Sequence, residues 1–385
     1  MILTQCAVCA TELGLSLGKK CGRCSTRCGP ECQVQHWKDG GHDKLCRKIR
    51  KGGGAEQYNA NTKYTEAVAV AAEACADDTK GQTCYICTQA VHWKTKEGLI
   101  RGCACRGTAG FAHVSCLVEQ AKILFAEGEE NNVDDKVKNE RWARWSTCFL
   151  CEQRYHGVVR CALGWACWKT YLGRSERDWA RRMAVSVLGA GLHAADLWED
   201  ELTVREAELS TERRIGADLQ SLLIVQTNLA RTYERVGRKE EALSLERYVY
   251  SGRLKLLGEG HPQTLSSANN YAVSLVGLQR FEEAKALLRK TLPVARRILR
   301  ESMDLLLKMR MIYGMALYMD AGATLDDLRE AVKMLEENER IARRVLGGAH
   351  PLTTDIERAL QNARATLGAR ETLAEAMAAT TLGDA

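Results

Sequence analysis

From about residue 177 to residue 367 apolar side chains recur at three- and four-residue intervals, the period of amphipathic helices packed on one another. Within that stretch Asn228-Leu229-Ala230 returns as Asn270-Tyr271-Ala272, 42 residues later, and Arg238 to Ala242 (RKEEA) returns as Arg280 to Ala284 (RFEEA) at the same distance. Leu257-Gly258 followed by His261-Pro262 recurs 89 residues on as Leu346-Gly347 followed by His350-Pro351, two periods plus five residues. The extra five fall between Leu317 and Ala331, at a turn, where insertions are tolerated. Each period predicts a helical hairpin in which Ala230 and Ala242 let two helices approach and His-Pro opens the next unit, because proline is accepted in a first helical turn. Ile215-Gly216 stands 42 residues before Leu257-Gly258, so a diverged first unit begins near Arg177. The front of the chain reads differently. Thr62 to Asp78 predicts a short alanine-rich helix, and Val158 to Trp168 an apolar segment far short of the roughly 20 residues a bilayer span needs. Little else there is periodic.

Composition divides the chain at the same place. All 17 cysteines lie at or before Cys167, and all eight tryptophans at or before Trp198. The N-terminus, MILTQC, carries no signal-peptide core, so the thiols are expected to stay reduced in the cytosol or nucleus. A net charge of +6 from 55 basic and 49 acidic residues gives little support to nucleic-acid binding, and no membrane crossing is expected.

Cys6, Cys9, Cys21, Cys24, Cys28, Cys32, His42 and Cys46 put eight thiolate or imidazole donors into 41 residues, enough for two closed tetrahedral zinc sites. Glycines break any long helix here, so metal must supply the folding free energy, on the order of 10 kcal/mol per structural zinc. The order and spacing, above all CQVQHWKDGGHDKLC from Cys32 to Cys46, resemble a MYND zinc finger. That resemblance implies one zinc on Cys6, Cys9, Cys28 and Cys32, and another on Cys21, Cys24, His42 and Cys46. It also implies a proline-rich peptide cleft using Gln33 and Trp37, with Arg27 where the family often has an aromatic residue.

A second set of eight follows: Cys84-x2-Cys87, Cys103-x-Cys105, His113, Cys116, and Cys148-x2-Cys151. Four Cys, one His and three Cys is the order of both PHD and RING-CH fingers. One residue between the third and fourth donors, seven before the histidine, and the flanks CACRGTAGFAHVSCL and CFLCEQRY resemble RING-CH. The resemblance implies interleaved pairs: Cys84, Cys87, His113 and Cys116 on one zinc, Cys103, Cys105, Cys148 and Cys151 on the other. It also implies contact with a ubiquitin-conjugating enzyme at Ile86. The chain departs from active relatives at Gln120, where a Trp is common, at Glu152, where an arginine often grips ubiquitin, and in the 31 residues between Cys116 and Cys148. Cys75, Cys161 and Cys167 read as core thiols. Closed first shells leave no open position for zinc hydrolysis.

The 42-residue period and its landmarks resemble kinesin-light-chain-type tetratricopeptide repeats, whose concave face implies a peptide groove lined by Thr227, Asn228, Arg231, Asn269 and Asn270. The expected architecture is multidomain, two small zinc-stapled α+β fingers followed by an all-α solenoid. Its parts are a finger at 1–50, a linker with a short helix at 51–80, a RING-CH-type finger at 81–158 and an apolar connector at 159–176. About four repeats at 177–367 and a tail at 368–385 complete it. Four zinc ions are expected. Three functions fit: a RING-type ubiquitin ligase whose repeats and first finger recruit protein substrates, a non-catalytic adaptor, or a PHD-like chromatin reader. The last would need a methyl-lysine cage built from Trp93, Trp142 and Trp145.

Overall fold

The computed structural model describes residues 19–21, 27–28, 42–299 and 303–383. They form two compact units, 1–217 and 218–385. In the first unit a two-residue ribbon, β1 (Lys19–Lys20) antiparallel to β2 (Arg27–Cys28), pairs Lys19 with Cys28 and Lys20 with Arg27. Then come α1 (His42–Lys51), α2 (Ala55–Ala74), α3 (Val114–Glu130), α4 (Asp135–Trp142), α5 (Gly157–Tyr171), α6 (Trp179–Ala194) and α7 (Trp198–Ile215).

The segment expected to be a connector is the centre of this unit. Every residue of α5 from Cys161 to Trp168 is buried, with α2, α3 and α6 packed around it. An apolar run of this length is too short for a bilayer and too sticky for solvent, and a helix that is hydrophobic all round belongs inside. Cys161 and Cys167 are core thiols, as their surroundings predicted, and Cys75 is buried at the end of α2 with its thiol toward the Arg101 carbonyl. The alanine-rich helix starts earlier than expected, at Ala55, directly after a turn in which Gly53 and Gly54 take φ of 89° and 95°. The 31-residue interval between Cys116 and Cys148 is a helical hairpin. α3 and α4 close on Phe125, Trp142 and Trp145, which meet one another, Tyr171 of α5 and Trp179 of α6 edge-on, tilted or stacked at 4.9–6.3 Å between ring centres.

α6 and α7 form a hairpin where a first repeat was expected, and in the structure it belongs to the first unit. Four of its charged residues turn inward. Glu201, Arg205, Glu208 and Glu212 are all buried on α7. Arg205 Nη1 donates to Glu208 at 2.8 Å, and Arg182 of α6 grips Glu212 with two bonds of 2.8 and 2.6 Å. Gly189 makes room for the Arg205 guanidinium, which a Cβ there would meet at 2.5 Å.

The second unit is a succession of antiparallel helices: α8 (Leu219–Arg235), α9 (Lys239–Leu257), α10 (Pro262–Gly277), α11 (Phe281–Ile298), α12 (Met303–Tyr318), α13 (Leu325–Leu346) and α14 (Pro351–Gly383). The sequence landmarks prove to be helix ends. His261 caps α10 by accepting from Gln263 N–H at Nδ1, 3.1 Å, with Pro262 in the first turn, and His350 does the same for Leu352 N–H at 3.2 Å. Gly258 and Gly347 end α9 and α13 at φ of 80° and 88°, which side chains avoid. Ala230, Ala242, Ala272 and Ala284 are fully buried where helices meet. The five-residue insertion is the α12–α13 turn, closed by a capping box between Thr324 and Asp327. Among the described residues no helix is long and apolar enough to cross a membrane.

The tightest crossing is α5 on α6. A Cβ on Gly191 would lie 2.8 Å from the Arg160 carbonyl oxygen, and one on Gly164 3.2 Å from the Leu188 backbone, so neither clash can be relieved by a side-chain rotation. Gly191→Ala is expected to destabilise the first unit by about 1–3 kcal/mol in urea unfolding, with Gly173→Ala, which meets nothing, within about 0.5 kcal/mol of wild type.

Candidate metal centres and peptide groove

Each C-x2-C pair of the central finger is a knuckle of the same backbone geometry. Cys84 N–H donates to the Gln89 carbonyl at 3.0 Å, Thr88 N–H donates to the Cys84 carbonyl at 2.8 Å, and Thr88 sits at φ 61°. Sixty-four residues on, Cys148 N–H donates to Gln153 at 2.9 Å, Glu152 N–H donates to Cys148 at 3.0 Å, and Glu152 sits at φ 58°. The turn exposes Ile86 in the first knuckle and both intervening residues in the second, while Tyr85 stays half-buried against the core. Ile86 is 38% exposed, and Phe149 and Leu150 nearly half, although the rest of the finger's large apolar side chains are mostly buried.

The donors converge as two sets of four. Cys84, Cys87, His113 and Cys116 bring one atom each within 4.8 Å of one another, and so do Cys103, Cys105, Cys148 and Cys151. Two Zn–S bonds of about 2.3 Å at a tetrahedral angle set sulfurs about 3.8 Å apart, and a sulfur and an imidazole nitrogen about 3.6 Å apart. Cys105 and Cys148 sulfurs are 3.8 Å apart, and His113 Nδ1 lies 3.3 Å from Cys87 and 3.7 Å from Cys116. The donor spacing therefore fits zinc, and both clusters can hold it. His113 is the cap residue of α3, whose first turn carries Cys116, so one helical turn delivers two donors. Burial holds the His113 imidazole below its ordinary pKa, in the neutral form a metal takes. Burial and neighbouring thiols push Cys103 and Cys116 well above the usual thiol value, whereas Cys151, though desolvation opposes it, is drawn down to about 7 by the Gln153 N–H and adjacent thiols. Four such groups repel one another as thiolates, and a divalent cation relieves that repulsion.

Three supporting residues were not among the expected site residues, although Tyr155 ends the CFLCEQRY flank. Glu97 reaches from the loop between donor pairs to accept from Ser115 N–H at 2.7 Å and its hydroxyl at 3.0 Å, satisfying the start of α3. His92 packs edge-on against His113 at 5.3 Å and is held by Thr95. Tyr155, buried after the second knuckle, donates its N–H to Ser146. Glu97 and His92 reach the metal loops only through the three-dimensional path, whereas Tyr155 follows Cys151 by four residues. Gln120 accepts from the Tyr85 hydroxyl at 3.5 Å, tying the first knuckle to α3. Trp142 and Trp145 are buried in the aromatic cluster and cannot line a methyl-lysine cage with Trp93, which is exposed. The chromatin-reader expectation is corrected on that ground.

In the first constellation Cys6, Cys9, Cys24, Cys32, Gln33 and Trp37 lie outside the described residues, and Cys28 and His42 are placed only as backbone in β2 and α1. Cys21 and Cys46, expected to share an ion, have sulfurs 3.8 Å apart.

In the second unit Arg231 is exposed, and Thr227, Asn228 and Asn270 are half-buried. Thr227 accepts from Arg253 at 3.2 Å. Asn269 is buried in α10 with its side-chain carbonyl oxygen unpartnered, more enclosed than the half-buried Asn270 beside it. Asn270 bonds Glu246 of α9, a buried carboxyl with one oxygen unpartnered. Burial raises Glu246 to about 8, with Arg253 and Arg231 opposing.

The RING-variant domain family matches residues 84–132, and the tetratricopeptide repeat family matches 222–263 and 264–301. The first match stops short of Cys148 and Cys151, which the structure adds to the second cluster. No curated protein matches the chain. Among solved structures, a Podospora anserina kinesin light chain with nearly identical TPR-like repeats is 20% identical over 60% of this chain and 97% of its own, with a TM-score of 0.41. BtubC from P. vanneervenii is 16% identical over 69% of this chain and 92% of its own, TM-score 0.40.

Two outcomes are expected. Cys148→Ser removes a donor that only the second cluster uses, so native mass spectrometry should find one zinc fewer, accompanied by a change in tryptophan emission from neighbouring Trp145. Glu246 binds its proton more tightly folded than unfolded, so its contribution is fully present below pH 4.5 and is lost as pH rises through about 8. Glu246→Gln should therefore raise the melting temperature by about 2–6 °C at pH 8.5 and by much less at pH 4.5.

Proposed function

We propose that the chain is a zinc-binding ubiquitin-protein ligase of RING type, whose repeats and MYND-type first finger recruit protein substrates. The observation that carries this reading is the pair of matched knuckles, each tip holding exposed apolar side chains (Ile86, and Phe149 with Leu150) over a four-donor cluster. Rigid loops with exposed apolar tips suit docking of a conjugating enzyme, and such a finger accelerates transfer by orienting the ubiquitin thioester without a covalent intermediate of its own. No residue of the finger is then catalytic; Ile86 is a contact. The RING-variant match supports the class.

Four ions are proposed, two in each finger. The 3.8 Å approach of Cys21 and Cys46 supports the ligand set Cys21, Cys24, His42 and Cys46 in the first. The peptide-binding role of the repeats rests on Asn228, Arg231 and Asn270, with Thr227 beside them, and that of the first finger on Gln33 and Trp37. Reduced thiols suit the cytosol or nucleus.

A non-catalytic adaptor is the second reading, and a specific residue favours it. Glu152 occupies the left-handed position of the second knuckle with its acidic side chain exposed, where ligases of this class often carry a ubiquitin-gripping arginine.

An autoubiquitination assay of the full chain against a panel of conjugating enzymes decides between them. Under the ligase reading chains form with wild type, fall at least about tenfold with Ile86→Ala, whose side chain is not in the core, and vanish with Cys84→Ser. Silence of the folded, zinc-loaded wild type across the panel leaves the adaptor.

A further inference from the structure

The net charge of +6 is not spread along the chain. Residues 1–51 hold ten Lys and Arg against four Asp and Glu, a net of +6, and residues 52–385 hold 45 of each sign. In that larger part much of the charge is cancelled at short range, as between Arg174 and Glu129 at 2.7 Å, Arg280 and Glu283 at 2.6 Å, or Arg310 and Glu337 at 2.6 Å.

The helix α1 concentrates the excess. Five of its ten residues are Lys or Arg (HDKLCRKIRK). Arg47, Lys48, Arg50 and Lys51 are all exposed, and none makes an ion pair with a described residue. The helix is oriented from within. Cys46 and Ile49 are buried against Ala55 and Tyr58 of α2, and the Cys46 sulfur sits 3.8 Å from that of Cys21. The cations are therefore carried outward on a short rod about 15 Å long, with Cβ atoms of neighbours three and four residues apart (Arg47 with Arg50 and Lys51, Lys48 with Lys51) about 5–6 Å from one another.

We infer that α1 is a docking surface for the phosphodiester backbone of a nucleic acid. Like charges held on one short helix without an ion pair to a described residue repel each other, and a polyanion with regularly spaced charges relieves that repulsion while releasing its counterions. A membrane surface fits less well. An interfacial helix needs an apolar face to enter the headgroup boundary, and the apolar face of α1 is already used against α2, with Leu45 the one exposed large apolar side chain among its described residues. A protein partner fits less well too, because a specific protein interface has a charge-depleted core and this surface offers none. The inference is independent of the ligase reading and would hold for an adaptor.

The test is fluorescence anisotropy of the full, zinc-loaded chain with labelled single- and double-stranded RNA and DNA, alongside labelled polyglutamate and vesicles of anionic phosphatidylserine. Binding to at least one nucleic acid is expected, with log K falling against log salt at a slope of about −3, the value for roughly four phosphate contacts. Replacing Arg47, Lys48, Arg50 and Lys51 together by alanine should weaken it by about tenfold or more at 100 mM salt and flatten the slope, with zinc content and circular dichroism unchanged. Arg47→Lys with Arg50→Lys, which keeps the charge, should retain most of the affinity. The inference is overturned if no nucleic acid binds, if the alanine variant binds as wild type with zinc intact, or if polyglutamate or vesicles bind as tightly as the nucleic acids.

Discussion

The second donor cluster is the constraint on which the first unit depends. Cys103 and Cys105 are joined there by Cys148 and Cys151, after an excursion through α3 and α4. Bringing the pairs together fixes both ends of that excursion, and its hairpin then buries Phe125, Trp142 and Trp145. The second knuckle runs almost directly into α5. His156 N–H donates to the Gly102 carbonyl at 2.9 Å, and Gly102 lacks the Cβ that would strike Val159 at 2.5 Å. The cluster thus sets where the central helix starts, and α2 and α6 pack on that helix. A finger of this kind is commonly pictured as a module tied on by linkers; here its last knuckle is the first support of the core.

The knuckles of the two clusters explain why apolar side chains are left at the surface. A C-x2-C knuckle turns its sulfurs toward the metal site, which leaves Ile86 at one tip and Phe149 and Leu150 at the other pointing away, while Tyr85 folds back onto α3. Ile86, Phe149 and Leu150 are exposed by that geometry even though exposure of apolar surface costs free energy. Arg144 lies 4.9 Å over the Phe149 ring and donates to the Cys148 carbonyl, so the second tip is stiffened as well as exposed. A rigid apolar tip loses little conformational entropy when a partner covers it.

The second unit is held by a different means. Its helix ends are written in the sequence as caps, and its helix crossings rest on fully buried alanines and on glycines such as Gly252 and Gly314, whose missing Cβ atoms give room to Leu223 and Leu335. Buried polar groups are threaded through this packing. Lys285 is buried and bonds Asp320 at 2.9 Å, Asn338 donates to the Leu307 carbonyl, and Glu246 is kept uncharged by its surroundings until the pH passes about 8. Such groups favour one pairing of helices over others, since a slipped register would leave them without partners.

The sequence by itself determined the identity and spacing of the donors, the helical period, the 42-residue repeat and the helix ends that its His-Pro and Leu-Gly landmarks mark. These are local quantities: a knuckle needs two cysteines three apart, and a cap needs a His or Gly at one position. It did not determine that α5 is the helix around which the first unit packs, that Asn269 is buried, that four charged residues of α7 are buried, or that Glu97 and His92 support the metal loops. Each of those depends on which surface lies opposite after the chain has folded back over tens of residues. The interleaving of donors stands between the two. The resemblance implied which cysteines share an ion, but only the tertiary path, carrying Cys148 back to within 3.8 Å of Cys105, brought them together, because a metal site is closed by distance in space and not by distance along the chain.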